Sequence, residues 1–178
     1  VGAMLARADI VDTVMASGGF QHGHTYAGNP LACATGLAVI EAMRRERMLD
    51  NVAARGRELK EGLLSLKARF PWVGDVRGLG LLWGVELVAD ATTKTPFPAE
   101  QNRFARITAL AKEEGLLIYP RRTLNGVAGD HVLVSPPLTI DAADTAELLA
   151  RLERAMCRFD AELDRHLAHT NAMSDAAR

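Results

Sequence analysis

The residues best suited to chemistry lie in a glycine-rich segment that leads into a helix near the start of the chain. This segment contains Gly23, Gly28 and the hydroxyl group of Thr25. Asn29 is a favourable N-cap, and Pro30 suits the first helical position because its missing N–H would have no partner there. Backbone N–H groups in such a loop, together with a hydroxyl, match the needs of a phosphate. The segment therefore predicts a phosphate-binding loop.

Two other chemistries are considered for the same part of the chain. His22 and His24 could form a metal-binding pair, but no carboxylate or cysteine set accompanies them, so we predict no metal site. The two cysteines, Cys33 and Cys157, lack C-x-x-C spacing and lie in apolar helical segments. We interpret them as reduced thiols of the core and not as a disulfide.

The elements that would position these residues follow from apolar periodicity and from the placement of glycine and proline. A buried strand is predicted over residues 1–6, a short helix or turn over 7–16, and a longer helix from 29 to about 47. Then follow helix 49–69, strand 73–77, strand 81–88, helix 99–114, strand 116–119, loop 120–130, strand 131–135 and helix 141–163. This order predicts an α+β domain with helices on one face of a small, mostly antiparallel sheet.

Composition excludes several classes of function. The formal net charge is −1, so there is no electrostatic argument for nucleic acid or an anionic membrane as partner. We find no apolar run of membrane-spanning length and no signal peptide, which favours a cytoplasmic protein. The chain begins with Val1, in what is predicted to be a strand already in progress, and we expect it to be a truncated or incomplete chain.

Three segments, in order, resemble a known family. They are the loop over residues 22–34, the strand-turn-strand sequence VRGLGLLWGVEL over 76–87, and HVLVSPPL over 131–138. Together they resemble the class III (ω-amino acid type) aminotransferases. The resemblance implies fold type I of the pyridoxal 5'-phosphate (PLP) dependent transferases, an α/β fold with a smaller α+β domain.

The family's domain organisation implies an assignment for each part of this chain. Residues 1–48 would be the C-terminal end of the PLP-binding large domain, and residues 49–165 the C-terminal small domain. Residues 166–178 are predicted to be a disordered tail. The family also implies a homodimer in which each active site is shared between two subunits.

The resemblance also implies roles for individual residues. Thr25 matches the threonine that reaches across the dimer to the cofactor phosphate of the partner, and Gly23 and Tyr26 would shape the loop. Transamination also needs a Schiff-base lysine. No lysine of this chain is followed by the family's motif, so we expect no catalytic residue within it. The four lysines are Lys60, Lys67, Lys94 and Lys112.

The substrate side departs from one pattern of the family. Many members that use α-amino acids place an arginine where this chain has Leu133. This departure resembles the branch that uses ω-amines and β-alanine with pyruvate. In that branch a mobile arginine of the preceding loop can bind a carboxylate, and Arg121 and Arg122 are the candidates here because a guanidinium forks onto a carboxylate.

The resulting hypothesis is the transfer of an amino group from an amine or ω-amino acid to a keto acid such as pyruvate. The Schiff-base lysine is expected about a dozen residues before Val1, so the chain alone would be inactive. Two alternatives remain open. One is a PLP-dependent lyase, decarboxylase or aminomutase of the same fold, and the other is a non-catalytic α+β binding domain.

Overall fold

The computed structural model describes residues 1–123, 126 and 128–176, with side chains described as far as residue 165. The chain divides into two compact units, Val1–Arg47 and Met48–Arg178. Each unit is described by itself.

The first unit consists of an irregular N-terminal segment and two helices. Helix α1 spans Ala8–Ala16 and helix α2 spans Pro30–Arg45. The predicted cap of α2 is confirmed, because the side chain of Asn29 accepts a hydrogen bond from the N–H of Ala32 at 3.0 Å. Neither helix contains a buried residue. The apolar side chains of these two helices are therefore not fully covered by other residues of this unit.

The strand predicted over residues 1–6 is wrong. These residues adopt no regular secondary structure, and all six are exposed. A strand needs a neighbouring strand to satisfy its backbone N–H and C=O groups, and the first unit, all of which is described, contains none. An apolar sequence alone therefore did not determine the conformation of this segment.

The second unit is a four-stranded antiparallel sheet with three long helices, as the sequence predicts. The strands, in sheet order β1-β2-β4-β3, are joined by antiparallel pairing throughout. They are β1 (Val73–Leu79), β2 (Leu82–Leu87), β3 (Tyr119–Thr123) and β4 (Ala128–Val134). The helices are α3 (Met48–Arg69), α4 (Arg103–Glu113) and α5 (Ala142–Ala176), with a short 3₁₀ turn over Ala99–Gln101.

The core lies between one face of the sheet and the three helices. Alternate residues of β2 and β4 point into it, because successive side chains of a strand lie on opposite faces. The largest fully buried side chain is Phe159 of α5, which meets Trp72 edge-on with ring centroids 4.7 Å apart. Trp72 donates its indole N–H to Asp160 at 2.8 Å. Trp72 and Trp83 are both buried.

The cysteines are not core residues, which corrects the sequence-based interpretation. Cys33 and Cys157 are both exposed. On α5 the neighbours Met156 and Phe159 are fully buried. A helix turns by about 100° per residue, so Cys157 lies outside the stripe that these two residues define.

The third strand is displaced from its predicted position. The sequence predicts a strand over 116–119 and a loop from Pro120 to Asp130, whereas β3 spans Tyr119–Thr123 and β4 begins at Ala128. Proline is tolerated in β3 because this strand lies at the edge of the sheet. Arg121 and Arg122 therefore belong to a strand and not to a loop.

The end of the chain also differs from expectation. Helix α5 continues to Ala176, where the sequence predicts a disordered tail from residue 166, and residues 177–178 lie outside the described residues. Among the residues that the structure describes, no helix is both long enough and apolar enough to span a membrane.

Candidate functional site

The loop between α1 and α2, residues 20–29, is shaped by its own backbone. The N–H of Ala27 donates to the carbonyl of His24 at 2.7 Å. His24 and Gly28 adopt positive φ angles of 49° and 72°. Glycine adopts such a conformation at no steric cost, so the turn into α2 favours glycine at position 28.

Hydrogen-bond donors remain unused on this loop. Within the described residues, neither the backbone N–H nor the hydroxyl of Thr25 has a hydrogen-bond partner. The start of α2 offers fewer free N–H donors, because the N–H of Ala32 already donates to the side chain of Asn29 and Pro30 has no N–H. The donors available to a phosphate therefore lie chiefly in the loop and not at the helix terminus.

The other two predicted cofactor-site residues lie on the same loop. Tyr26 is 83% exposed. Gly23 and Thr25 line the same shallow depression in the loop. A Cβ atom at position 23 would meet nothing within 4 Å. The backbone therefore favours glycine at Gly28, for which the resemblance implied no individual role, and not at Gly23.

The histidine pair of the loop is engaged internally. The N–H of His24 donates to Nδ1 of His22 at 2.9 Å, and the two rings lie 4.2 Å apart. Nδ1 of His22 is thus a hydrogen-bond acceptor and is turned toward the chain. Across the part of the chain that the structure describes, no group of three or more His, Cys, Asp and Glu side chains could hold a metal ion.

In the second unit, Arg122 is held in the interior. Its Nε and Nη2 donate to the two carboxylate oxygens of Asp130 at 2.5 and 3.0 Å, and Nη1 donates to the carbonyl of Ala99 at 2.9 Å. The guanidinium also lies 4.6 Å from the ring centroid of Phe104. The hydrogen bonds that Arg122 donates to Asp130 raise the pKa of Arg122. With side chains only 10% and 4% exposed, this pair is structural, and Arg122 is not available to a substrate.

Arg121 points to the opposite face of the sheet. It is exposed, and it pairs across the strands with His131, while Tyr119 pairs with Leu133. Arg121 is therefore a diagonal cross-strand neighbour of Leu133, within reach of a long side chain. The register thus places one of the two candidate arginines beside the position where the sequence lacks one.

Each lysine of the second unit either makes a structural contact or is exposed to solvent. Lys67 forms an ion pair with Asp75 at 3.0 Å, and Lys94 donates to the carbonyl of Gly74. The hydrogen bond from Lys67 is the main reason why the pKa of Asp75 falls to about 2. Lys60 and Lys112 are exposed on helices.

The comparisons with known proteins agree with the resemblance. The sequence model of the family described as aminotransferase class-III matches residues 1–156. An uncharacterized aminotransferase of Schizosaccharomyces pombe is 37% identical over 133 residues, which is 74% of this chain and 29% of that protein. The chain spans about a third of the length of the curated relatives it matches, between 29% and 37% of the first three.

Two solved structures show the same fold. An (S)-enantioselective omega-transaminase from Thermomicrobium roseum matches with a TM-score of 0.70 and 33% identity, over 85% of this chain and 32% of that one. An amine transaminase from an uncultivated Pseudomonas species, in its PLP-bound form, matches with a TM-score of 0.68 and 34% identity, over 78% and 30% of the two chains. The mixed helices and antiparallel sheet are thus part of the α/β fold of PLP-dependent transaminases, and the chain belongs to the class-III aminotransferase family.

Proposed function

We propose that this protein takes part in transferring an amino group from an amine or ω-amino acid to a keto acid such as pyruvate, with PLP as cofactor. The observation that carries the proposal is the loop of residues 20–29, on which the N–H and hydroxyl of Thr25 are free to donate. A phosphate is the ligand that such donors suit best. Family membership supports amino-group transfer as the reaction class.

The domain and subunit arrangement belongs to the same proposal. Residues 1–48 would form the C-terminal end of the PLP-binding large domain, and residues 49–165 would form the small domain. Two subunits would share each active site. When bound, PLP supplies an electrophilic carbonyl and an electron sink. Thr25 would bind the phosphate, with Gly23 and Tyr26 beside it, and Gly28 would allow the turn. The lysine for the covalent step would lie outside these 178 residues, so the chain alone would be inactive.

Arg121 is our candidate for binding a substrate carboxylate. It is exposed, lies diagonally across from Leu133, and has no hydrogen-bond or ion-pair partner within the described residues. Arg122 is excluded from this role by its pairing with Asp130. The alternation of side chains along β3 thus supports a binding role for the first arginine and a structural role for the second.

Thr25→Ala is expected to weaken PLP binding by about tenfold to a hundredfold, because a hydrogen bond to a charged group contributes about 1.5–3 kcal/mol. The measurement is a PLP titration followed by absorbance, on the natural full-length protein, together with alanine formation from pyruvate and 4-aminobutyrate. Thr35→Ala is the matched control, since that hydroxyl already donates to the carbonyl of Leu31 within α2. Equal affinities for the two variants would contradict the assigned role of Thr25. Product formation that does not need pyruvate would favour a lyase or decarboxylase.

Arg121→Gln is expected to raise KM for the carboxylated substrate about tenfold or more, with a smaller change in kcat, because a guanidinium–carboxylate pair is lost. Steady-state kinetics with a carboxylated and an uncarboxylated amine separate this effect from a general loss of activity. Arg57→Gln, an exposed arginine on α3, serves as the control. An equal rise in KM for both amines would rule out carboxylate recognition by Arg121.

A further inference from the structure

The second unit contains a small cavity. None of the residues proposed above for phosphate or substrate binding lines it. Its volume is about 250 Å³, and its walls include the apolar side chains of Trp72, Phe97 and Leu163. Pockets for drug-sized ligands begin at about 300 Å³, so this cavity suits a smaller molecule. Three charged side chains, one cation and two anions, also line it.

The cation is Arg103, and it lacks an anionic partner. Its Nε donates to the side-chain oxygen of Gln101 at 2.8 Å, and its guanidinium lies 5.7 Å from the ring centroid of Phe97. The nearby carboxylate of Glu162 is already bound by Arg106 through two hydrogen bonds of 2.6 and 2.8 Å. Within the described residues, no carboxylate forms an ion pair with Arg103.

The electrostatics of Arg103 differ from those of the paired arginines. Burial lowers the pKa of Arg103, whereas hydrogen bonds donated to carboxylates raise the pKa of Arg106 and Arg122. The charge of Glu162 offsets this burial only in part, so a half-buried guanidinium that forms no ion pair would be stabilised by a bound anion. Its Nη groups are the donors that remain for such a ligand.

The anions are Asp160 and Asp164 of α5. Asp160 accepts the indole N–H of Trp72 at 2.8 Å, and neither carboxylate forms an ion pair within the part of the chain described. Both charges therefore face the same cavity as Arg103 without neutralising it directly. A simple anion would be repelled by the two carboxylates, and a simple cation would leave the arginine without a counter-charge.

We propose that this cavity binds a zwitterionic amino acid with an apolar body, its carboxylate on Arg103 and its ammonium group at Asp160 and Asp164. The walls formed by Trp72, Phe97 and Leu163 would cover the methylene groups between the two charges. This site lies apart in sequence from the loop of residues 20–29 and does not include Arg121. It therefore shares no residue with the sites proposed above for phosphate and substrate carboxylate.

The test is calorimetric titration of the natural full-length protein, loaded with PLP, with 4-(dimethylamino)butyrate. Its tertiary amine stays protonated but cannot condense with the cofactor, so binding is read apart from turnover. We expect saturable binding that Arg103→Gln weakens at least tenfold and that Arg57→Gln, an exposed control, leaves unchanged. Butyrate and N,N-dimethylbutylamine, which carry one charge each, should bind at least tenfold more weakly than the zwitterion.

Asp160→Asn provides a second variant, since the amide oxygen can still accept the indole N–H of Trp72. It should weaken binding of the zwitterion and strengthen binding of butyrate. Absence of binding to the wild-type protein, or equal losses in the Arg103 and Arg57 variants, would overturn the proposal. Butyrate binding as tight as that of the zwitterion would also overturn it, because the two carboxylates would then have no role.

Discussion

Asp130→Asn is expected to lower the free energy of unfolding of the protein by about 3 kcal/mol, because it leaves the guanidinium of Arg122 buried without its counter-charge. The Asp130 carboxylate accepts two hydrogen bonds from Arg122, and the two side chains are 4% and 10% exposed. Arg122 cannot turn toward solvent without also leaving the ring of Phe104 and the carbonyl of Ala99. Asparagine retains one acceptor oxygen but not the charge.

Urea unfolding followed by circular dichroism measures this loss. Asp144→Asn is the matched control, since Asp144 is exposed in the first turn of α5 and should change stability by about 0.5 kcal/mol or less. The double variant Arg122→Met with Asp130→Leu should be more stable than Asp130→Asn, because no buried charge is left unpaired. If Asp130→Asn unfolds at the same urea concentration as Asp144→Asn, the pair has no structural role.

Local signals in the sequence were sufficient for most of the secondary structure. Asn29 and Pro30 predict the start of α2 because capping depends only on adjacent residues, and the structure confirms it. The antiparallel sheet follows from the order of short strands and connecting helices. The strand expected over residues 1–6 is wrong, since strand formation depends on a partner that the local sequence does not reveal.

The candidate site was harder to predict from the sequence, because the positions of its residues depend on the register in which the strands pair. Two adjacent arginines on a strand must point to opposite faces, so placing β3 over Tyr119–Thr123 would have separated Arg121 from Arg122 at once. Pro120 instead suggested a loop. The partner of Arg122 is Asp130, which only the pairing of β3 with β4 brings opposite to it. The preference for glycine at Gly28 depends on a backbone angle that composition does not give.

Gly56→Ala is expected to destabilise the protein by about 2–3 kcal/mol, because the added methyl group would collide with backbone. Helix α3 crosses the turn between β1 and β2 so closely that a Cβ atom at Gly56 would lie 2.6 Å from the carbonyl oxygen of Gly80. The same carbonyl oxygen accepts a hydrogen bond from the indole N–H of Trp83 at 2.7 Å, so moving it away from α3 would cost this bond as well. The turn belongs to the VRGLGLLWGVEL segment that resembles the family.

Gly62→Ala supplies a control on the same helix. A Cβ atom at Gly62 would lie 2.3 Å from a terminal methyl group of Leu149, but a leucine side chain can rotate away, whereas a backbone carbonyl cannot. Both substitutions gain about 1 kcal/mol of helix propensity, so their difference compares the collision with the backbone of Gly80 with the displacement of the Leu149 side chain. Urea unfolding should show Gly56→Ala to be less stable than Gly62→Ala by about 2 kcal/mol. Equal stabilities would mean that the strand-turn-strand segment moves away from α3 at little cost, and the glycine at position 56 would then have no packing role.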